Sequence, residues 1–326
     1  MRMLLFSFAF LFLLAGCRKE EDALEPELID TINLNDLYGN RVATASIGTD
    51  YEFQAYYSLV NNELVGSYDK FAWEVALTNS DQPLLILNSS IIDLRIAQAG
   101  VAWEESIQTE SLEWKYDLPG RQPADFAIGS NWDQVLVIDR GVDGAGTPRG
   151  VKKLHIQTTG NGYTLTVANL DGSNEQSFEA FPDHDYNFTA WSLDNGATLV
   201  EPPKDSWDIV FTSYLFVFDP VTEPNPYQVT GALLNMNARQ GARFDNTPFE
   251  SFSINASNIA QLTSQGDVIG YDWKVFDFNL GFIIVEDRTY FVQCGNDGFF
   301  ALTFTGFYDE EGNRGSPAFT YRRLPG

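Results

Sequence analysis

The sequence predicts an all-β protein of mostly antiparallel sheets, with an internal duplication and one or two short helices. Three observations predict it. Short runs rich in β-branched and aromatic residues recur along the chain, turn-forming pairs separate them at hairpin spacing, and helical periodicity is scarce. The runs include "KLHIQTT", "YTLTVANL", "WDIVFTSYLFVF", "GFIIVE", "TYFVQC" and "FFALTFTGFY". The turns include Asp143-Gly144, Asn161-Gly162, Asp171-Gly172, Asn195-Gly196 and Glu311-Gly312-Asn313. With 326 residues, 44% of them hydrophobic, the chain can bury a large core in one domain or two intimate lobes.

Taken in order, the chain opens on "MRMLLFSFAFLFLLAGC". A basic start at Arg2, an apolar run from Met3 to Leu14 and small residues after it read as a signal peptide over residues 1–16. Leu14-Ala15-Gly16-Cys17 resembles the lipobox of bacterial lipoproteins, which implies cleavage before Cys17 and acylation of its thiol and new amine, a firm membrane anchor. The following "RKEEDALEPELID" reads as an acidic tether over residues 17–31, similar to the tag that carries some lipoproteins to the cell surface. The folded domain is expected over residues 32–326.

Inside it, "SLVNNELVGSYDKFAWEVALTNS" from Ser58 is echoed by "SLDNGATLVEPPKDSWDIVFTSY" from Ser192. Leu59 to Trp73 and Leu193 to Trp207 are both steps of 14 residues. Each Trp precedes an acid and an aliphatic residue, and each unit closes on an Asn, Asn88 or Asn235. The repeat is placed at about 51–88 and 187–235. Strand alternation puts Trp73 in step with Val75, and Trp207 with Ile209, as core anchors. One or two short helices are expected. One follows a cap at Asn255 or Ser257 and ends near Gly266, and a weaker one lies in "SSIIDLRIAQAG" after Asn88.

Charge and residue counts exclude several functions. Twenty Lys and Arg stand against 45 Asp and Glu, a net charge of -25 that repels phosphate backbones, so no nucleic-acid partner is expected. Only two His are present, too few for a multi-histidine zinc site, and neither lies near a nucleophile elbow. The glycine-rich Asp139–Gly150 lacks phosphate-loop spacing and reads as a hairpin loop. No catalytic constellation emerges, and a non-enzymatic role is expected. Cys294 reads as a buried small hydrophobe. His155 alternates with Lys153 and Gln157 on a polar, solvent-facing side. His184 sits in an acidic loop, and Met236 aligns with Leu234 and Ala232 at a strand end.

The stretches "YYSL", "WDIVFTSY", "IGYDWKVFDF", "TYFVQC", "FFALTFTGFYDEEGNRG" and "FTYRRL" resemble the HmuY family of haem-binding lipoproteins, and "WKYDLPG", "VLVIDRG", "GVKKLHI" and "ANLDGSNE" resemble its longer members. The resemblance spans roughly residues 51–324. It implies an all-β fold, an outer-membrane lipid anchor at Cys17, and haem capture for a partner receptor in the outer membrane. The family grips haem iron through paired His or paired Met; the single Met left after signal removal excludes a paired-Met site, and a paired-His site would need His155 to leave its solvent-facing side. Met236 and His184 are then the axial candidates, with Arg239 and Arg243 as candidates to meet the propionates. The competing expectation is a glycan-binding or scaffold surface lipoprotein of the same fold without a haem site.

Overall fold

A computed structural model describes residues 38–223 and 225–325. The expected signal peptide, the tether, Cys17 and the first residues of the domain lie outside the described residues. Among those described, no helix is long and apolar enough to cross a membrane.

The chain is all-β. Its strands are β1 (Arg41–Thr44), β2 (Phe53–Ser58), β3 (Glu63–Asp69), β4 (Val75–Thr78), β5 (Leu85–Leu87), β6 (Leu94–Gln98), β7 (Leu136–Arg140), β8 (Val151–Thr159), β9 (Gly162–Ala168) and β10 (Gln176–Ala180). They continue as β11 (Phe188–Ser192), β12 (Gly196–Thr198), β13 (Ile209–Phe216), β14 (Tyr227–Leu234), β15 (Arg239–Phe244), β16 (Lys274–Asp277), β17 (Gly281–Ile284), β18 (Thr289–Cys294), β19 (Phe299–Tyr308) and β20 (Arg314–Leu324). The named ladders are antiparallel, as the hairpin turns require.

Two of the sheets have four strands, in the orders β14-β13-β2-β3 and β12-β11-β4-β5. Two more have five, in the orders β1-β20-β19-β18-β15 and β10-β9-β8-β7-β6. Exchanging β2 with β11, β3 with β12, β4 with β13 and β5 with β14 turns one four-stranded order into the other. Each four-stranded sheet therefore joins the first hairpin of one unit to the second hairpin of the other. One face of each packs on a five-stranded sheet, through Tyr57, Phe211 and Phe319 in one case and Val75, Leu136 and Trp191 in the other. The opposite faces, carrying Trp207 and Trp73, turn toward each other across a small polar space, and Tyr56 Oη bridges them by donating to Val200 O at 2.9 Å.

The repeated Trp-acid-aliphatic stretch builds this exchange. Glu74 and Asp208, the acids after each Trp, are fully buried. Glu74 accepts from Leu193 N at 2.9 Å, and Asp208 accepts from Leu59 N at 2.7 Å, so each acid holds the start of the other unit. A buried carboxylate needs a cationic partner, and both have one. Arg140 and Arg149 donate to Glu74 Oε1, and Arg239 donates to Asp208 Oδ1 at 2.9 Å. The closing Asn of each unit completes the match. Asn88 Nδ2 donates to Lys70 O and Trp73 O, and Asn235 Nδ2 to Lys204 O and Trp207 O.

Four local expectations are corrected. Trp73 and Trp207 are buried (7% and 1% exposed), but they pack with Ala76 and Val210 rather than with Val75 and Ile209. The ladders start only at Val75 and Ile209, and each Trp carbonyl is taken by an Asn side chain, so alternation does not reach back to the Trp. Met236 leaves the Ala232 and Leu234 face in the same way. The strand ends at Leu234, and Met236 packs near Trp73 instead. The helix expected near Asn255 is a single turn, α1 (Ala256–Ile259), with the Asn255 side chain capping Asn258 N. It ends early because Thr263 exchanges both backbone hydrogen bonds with Gly241. The stretch after Asn88 contains no helix, because Leu94 and Ile96 alternate into the core as β6, paired to β7.

Candidate functional site

A cleft of about 670 Å³, bordered by exposed aromatic residues, lies between the start of β14 and the β16–β17 hairpin. That volume is in the range of small-molecule and cofactor sites. An enclosed space between the two central sheets holds only about 30 Å³, room for about one water.

The hairpin forms because its turn is well specified. Asp277 Oδ1 accepts from Asn279 N at 2.8 Å and Leu280 N at 3.0 Å, and Gly281 takes the left-handed φ of 78° that closes a three-residue loop. Tyr308 Oη accepts from Phe282 N at 2.7 Å and ties the hairpin to β19. Its side chains break the usual one-sided pattern. Phe276, Phe278 and Leu280 are 58%, 95% and 74% exposed, while Phe282 packs on Phe307 with centroids 4.9 Å apart. Apolar groups that face water at a hairpin tip beside a cleft signal a binding surface.

The opposite wall is aromatic too. Tyr271 packs on Phe216 at 4.8 Å and on Phe218 at 5.7 Å, and Phe218 reaches Tyr227 at 5.8 Å. The open edge of β14 leaves Gln228 and Thr230 along the cleft.

Two cations border it. Arg314, on a half-exposed side chain, lies 4.9 Å over the Tyr51 ring and donates to Thr49 O at 3.1 Å. Lys274 is buried at the inner side. Its Nζ donates to Thr230 O at 2.5 Å and lies 4.1 Å from the Trp273 ring, 4.6 Å from Phe307 and 5.6 Å from Phe282. It forms no ion pair among the described residues, since the neighbouring Asp272 is engaged by Arg243 at 2.8 Å and Arg288 at 3.4 Å. Loss of water around the amine pushes it down to about 7, and the charge of Asp272 only partly opposes this. The same burial pushes the Tyr51 and Tyr271 phenols up.

The residues expected to bind haem lie elsewhere. His184 is exposed on the turn closed by Tyr186 N donating to Asp183 O at 3.0 Å. Met236 is half-buried and borders a smaller pocket of about 260 Å³ with Phe188, Lys204 and Tyr186, two residues past His184. Thr230 lies on the cleft, whereas Met236 lies beyond the end of the strand at Leu234, about 13 Å of strand further on, and borders a different pocket.

Arg239 is not free for propionates, because it is buried against Asp208, whose charge it neutralises. Arg243 is half-exposed and paired to Asp245 at 3.2 Å as well as to Asp272. His155 is half-covered by the Trp103 ring, 6.5 Å away. Its neighbour Lys153 is buried rather than solvated, with its Nζ donating to Trp103 O and Glu105 O, because the 103–107 segment covers that face. Cys294 is buried, and burial pushes its thiol well up, away from reactivity. Among the described residues no group of three or more His, Cys, Asp or Glu side chains is placed to hold a metal ion.

Sequence reasoning missed the cleft. The signal was "YDWKVFDFNLGFII", in which aromatic residues occupy both faces of a hairpin and its tip, a pattern no one-sided strand needs.

No family model matches the chain, and no curated protein matches it either. The chain is similar to solved structures of HmuY type. One is an apo HmuY analog of Tannerella forsythia, 9% identical, covering 88% of this chain and 96% of that one at a TM-score of 0.33. Another is apo PinO from Porphyromonas gingivitis, 10% identical, covering 88% and 99% at 0.26. A third is a HmuY-like haem-binding protein of Bacteroides vulgatus, 11% identical, covering 52% and 91% at 0.19. Identity at this level concerns fold alone, and a binding role has to rest on the residues of the cleft.

Proposed function

We infer that the chain is an exported, lipid-anchored, non-enzymatic binding protein of the outer membrane that takes up haem in the aromatic cleft and passes it to a receptor. The observation that carries this is the cleft itself. Its volume suits a macrocycle, its rings offer flat apolar contact, and Arg314 at its border can meet a propionate. The stretch Ile269–Phe278, one of those that resemble the HmuY family, supplies Tyr271, Lys274, Val275 and Phe276 to it.

Titration of the purified protein with haemin tests this. The expected result is a saturable Soret shift at stoichiometric ratio that Phe276→Asp abolishes. A broad change without saturation sinks the haem reading and favours the glycan-binding or scaffold alternative. A second seat is offered by the pocket that joins Met236 to the turn after His184. If Met236→Ala and His184→Ala alter the bands while Phe276→Asp does not, haem sits there and the cleft is not its site.

The anchor is tested separately. Cys17→Ala is expected to move the protein from the membrane pellet to the soluble fraction on cell fractionation, since acylation at Cys17 is the proposed attachment. A variant that still pellets refutes the lipobox reading.

A further inference from the structure

We propose that the aromatic cleft selects a tetrapyrrole by its ring faces and carboxylates and not by its metal, so that metal-free porphyrin is as good a ligand as haem; this rests on the haem reading of the cleft. Proteins hold haem iron chiefly through His, Met, Cys or Tyr side chains. The chain has two His, and both lie away from the cleft, His184 on its exposed turn and His155 against Trp103. Met236 borders a different pocket, and Cys294 is enclosed in the core. Met1, Met3 and Cys17 fall in the proposed signal peptide and at the proposed acylation site.

The donors that do line the cleft are otherwise engaged. Lys274 Nζ donates to Thr230 O and Tyr271 O and lies against the Trp273 and Phe307 rings, which are not part of the cleft, so its amine is directed away from a ligand. Three tyrosines remain, and each is built into a wall. Tyr271 packs on Phe216 and Phe218, Tyr227 packs on Phe218, and the Tyr51 ring lies under Arg314 and 6.0 Å from Phe307. The donor set therefore does not fit haem iron.

The rest of the ligand is well matched. Tyr271, Phe218 and Tyr227 offer flat apolar surface on one side, and Phe276 and Phe282, with centroids 5.2 Å apart, offer it on the other. Such rings meet the faces of a macrocycle, and those faces are the same with or without a metal at the centre. Arg314 adds a charge. Its one ion pair among the described residues is a 4.0 Å contact to exposed Asp50, so its guanidinium can turn to a propionate. An axial bond would make the site prefer haem. A site of rings and one guanidinium has nothing that tells iron from the two inner protons of a free porphyrin.

Parallel titrations of the protein with haemin, read at the Soret band, and with protoporphyrin IX, read by its own fluorescence, test this. Protoporphyrin is expected to bind no more than about fivefold more weakly than haemin and to displace it. Phe276→Asp should abolish both, and Arg314→Gln should weaken both by the same factor. A haemin affinity more than about fivefold above that of protoporphyrin would show that the metal is recognised, and would overturn the inference while the cleft reading stands. An iron–phenolate absorption band that Tyr51→Phe, Tyr227→Phe or Tyr271→Phe removes would overturn it in the same way. If haemin fails to bind saturably, or Phe276→Asp binds it unchanged, the cleft reading falls and this inference with it.

Discussion

Replacing Glu74 with alanine is expected to destabilise the fold by about 3–5 kcal/mol, the usual cost of removing one partner from a buried ion pair. Glu74 serves three donors at once: the Arg140 and Arg149 guanidinium groups and the Leu193 amide. Arg140 retains Asp194, but Arg149 loses the one carboxylate paired with it among the described residues, and Leu193 N is left buried. Because Leu193 belongs to the other unit, the loss falls on the contact between the exchanged hairpins rather than on one strand. Asp208→Ala should cost a similar amount, since Asp208 holds Leu59 N and Arg239 in the matching way. Urea unfolding of the two variants checks this. A midpoint within error of wild type for both would show that the acids do not hold the two units together.

Trp207→Ala is expected to cost about 3–5 kcal/mol, the range for deleting a large aromatic from a packed core. Its ring lies 4.8 Å from that of Tyr56 in an edge-to-face contact and is almost wholly excluded from solvent. Trp73→Ala should cost a similar amount, and it also strips Gln54 Oε1 of the indole N–H that donates to it at 3.2 Å. Both residues lie in the layer between the two central sheets, away from the aromatic cleft, so neither change should alter haemin spectra once the variant is folded. Unfolding and haemin titration of the same two proteins separate the roles. Unchanged stability with lost ligand binding would make either Trp a binding residue and reject the anchor reading.

Much of the secondary structure was legible because its causes are local. β-branched and aromatic runs favour strands wherever they pack, and the turn residues act through their own φ and through side-chain bonds a few residues away. Asp309 accepting from Asn313 N at 2.7 Å is one such case, and Asp171 accepting from Ser173 N at 2.9 Å is another. The failures were also local in form. The stretch after Asn88 reads as either helix or strand on its own, and only pairing with Leu136–Arg140 makes it a strand. The polar face of "VKKLHIQ" reads as solvated, yet Lys153 is buried because a distant segment covers it.

The sequence by itself determined that this is a β protein with paired Trp-acid-Asn units, an acidic charge and a lipobox-like start. These features are written in composition, in alternation and in spacings within one stretch of chain. Only the tertiary structure decided what the units do to each other: Glu74 and Asp208 each receive an amide from the opposite unit, so neither can be explained within its own. Only the tertiary structure, too, brought β14 beside the β16–β17 hairpin and set Lys274 under three aromatic rings. Thr230 and Lys274 are far apart in sequence, and nothing in either stretch alone specifies the other. A cleft is made by surfaces that fail to close on each other, and that is a property of packing, which no single stretch of sequence contains.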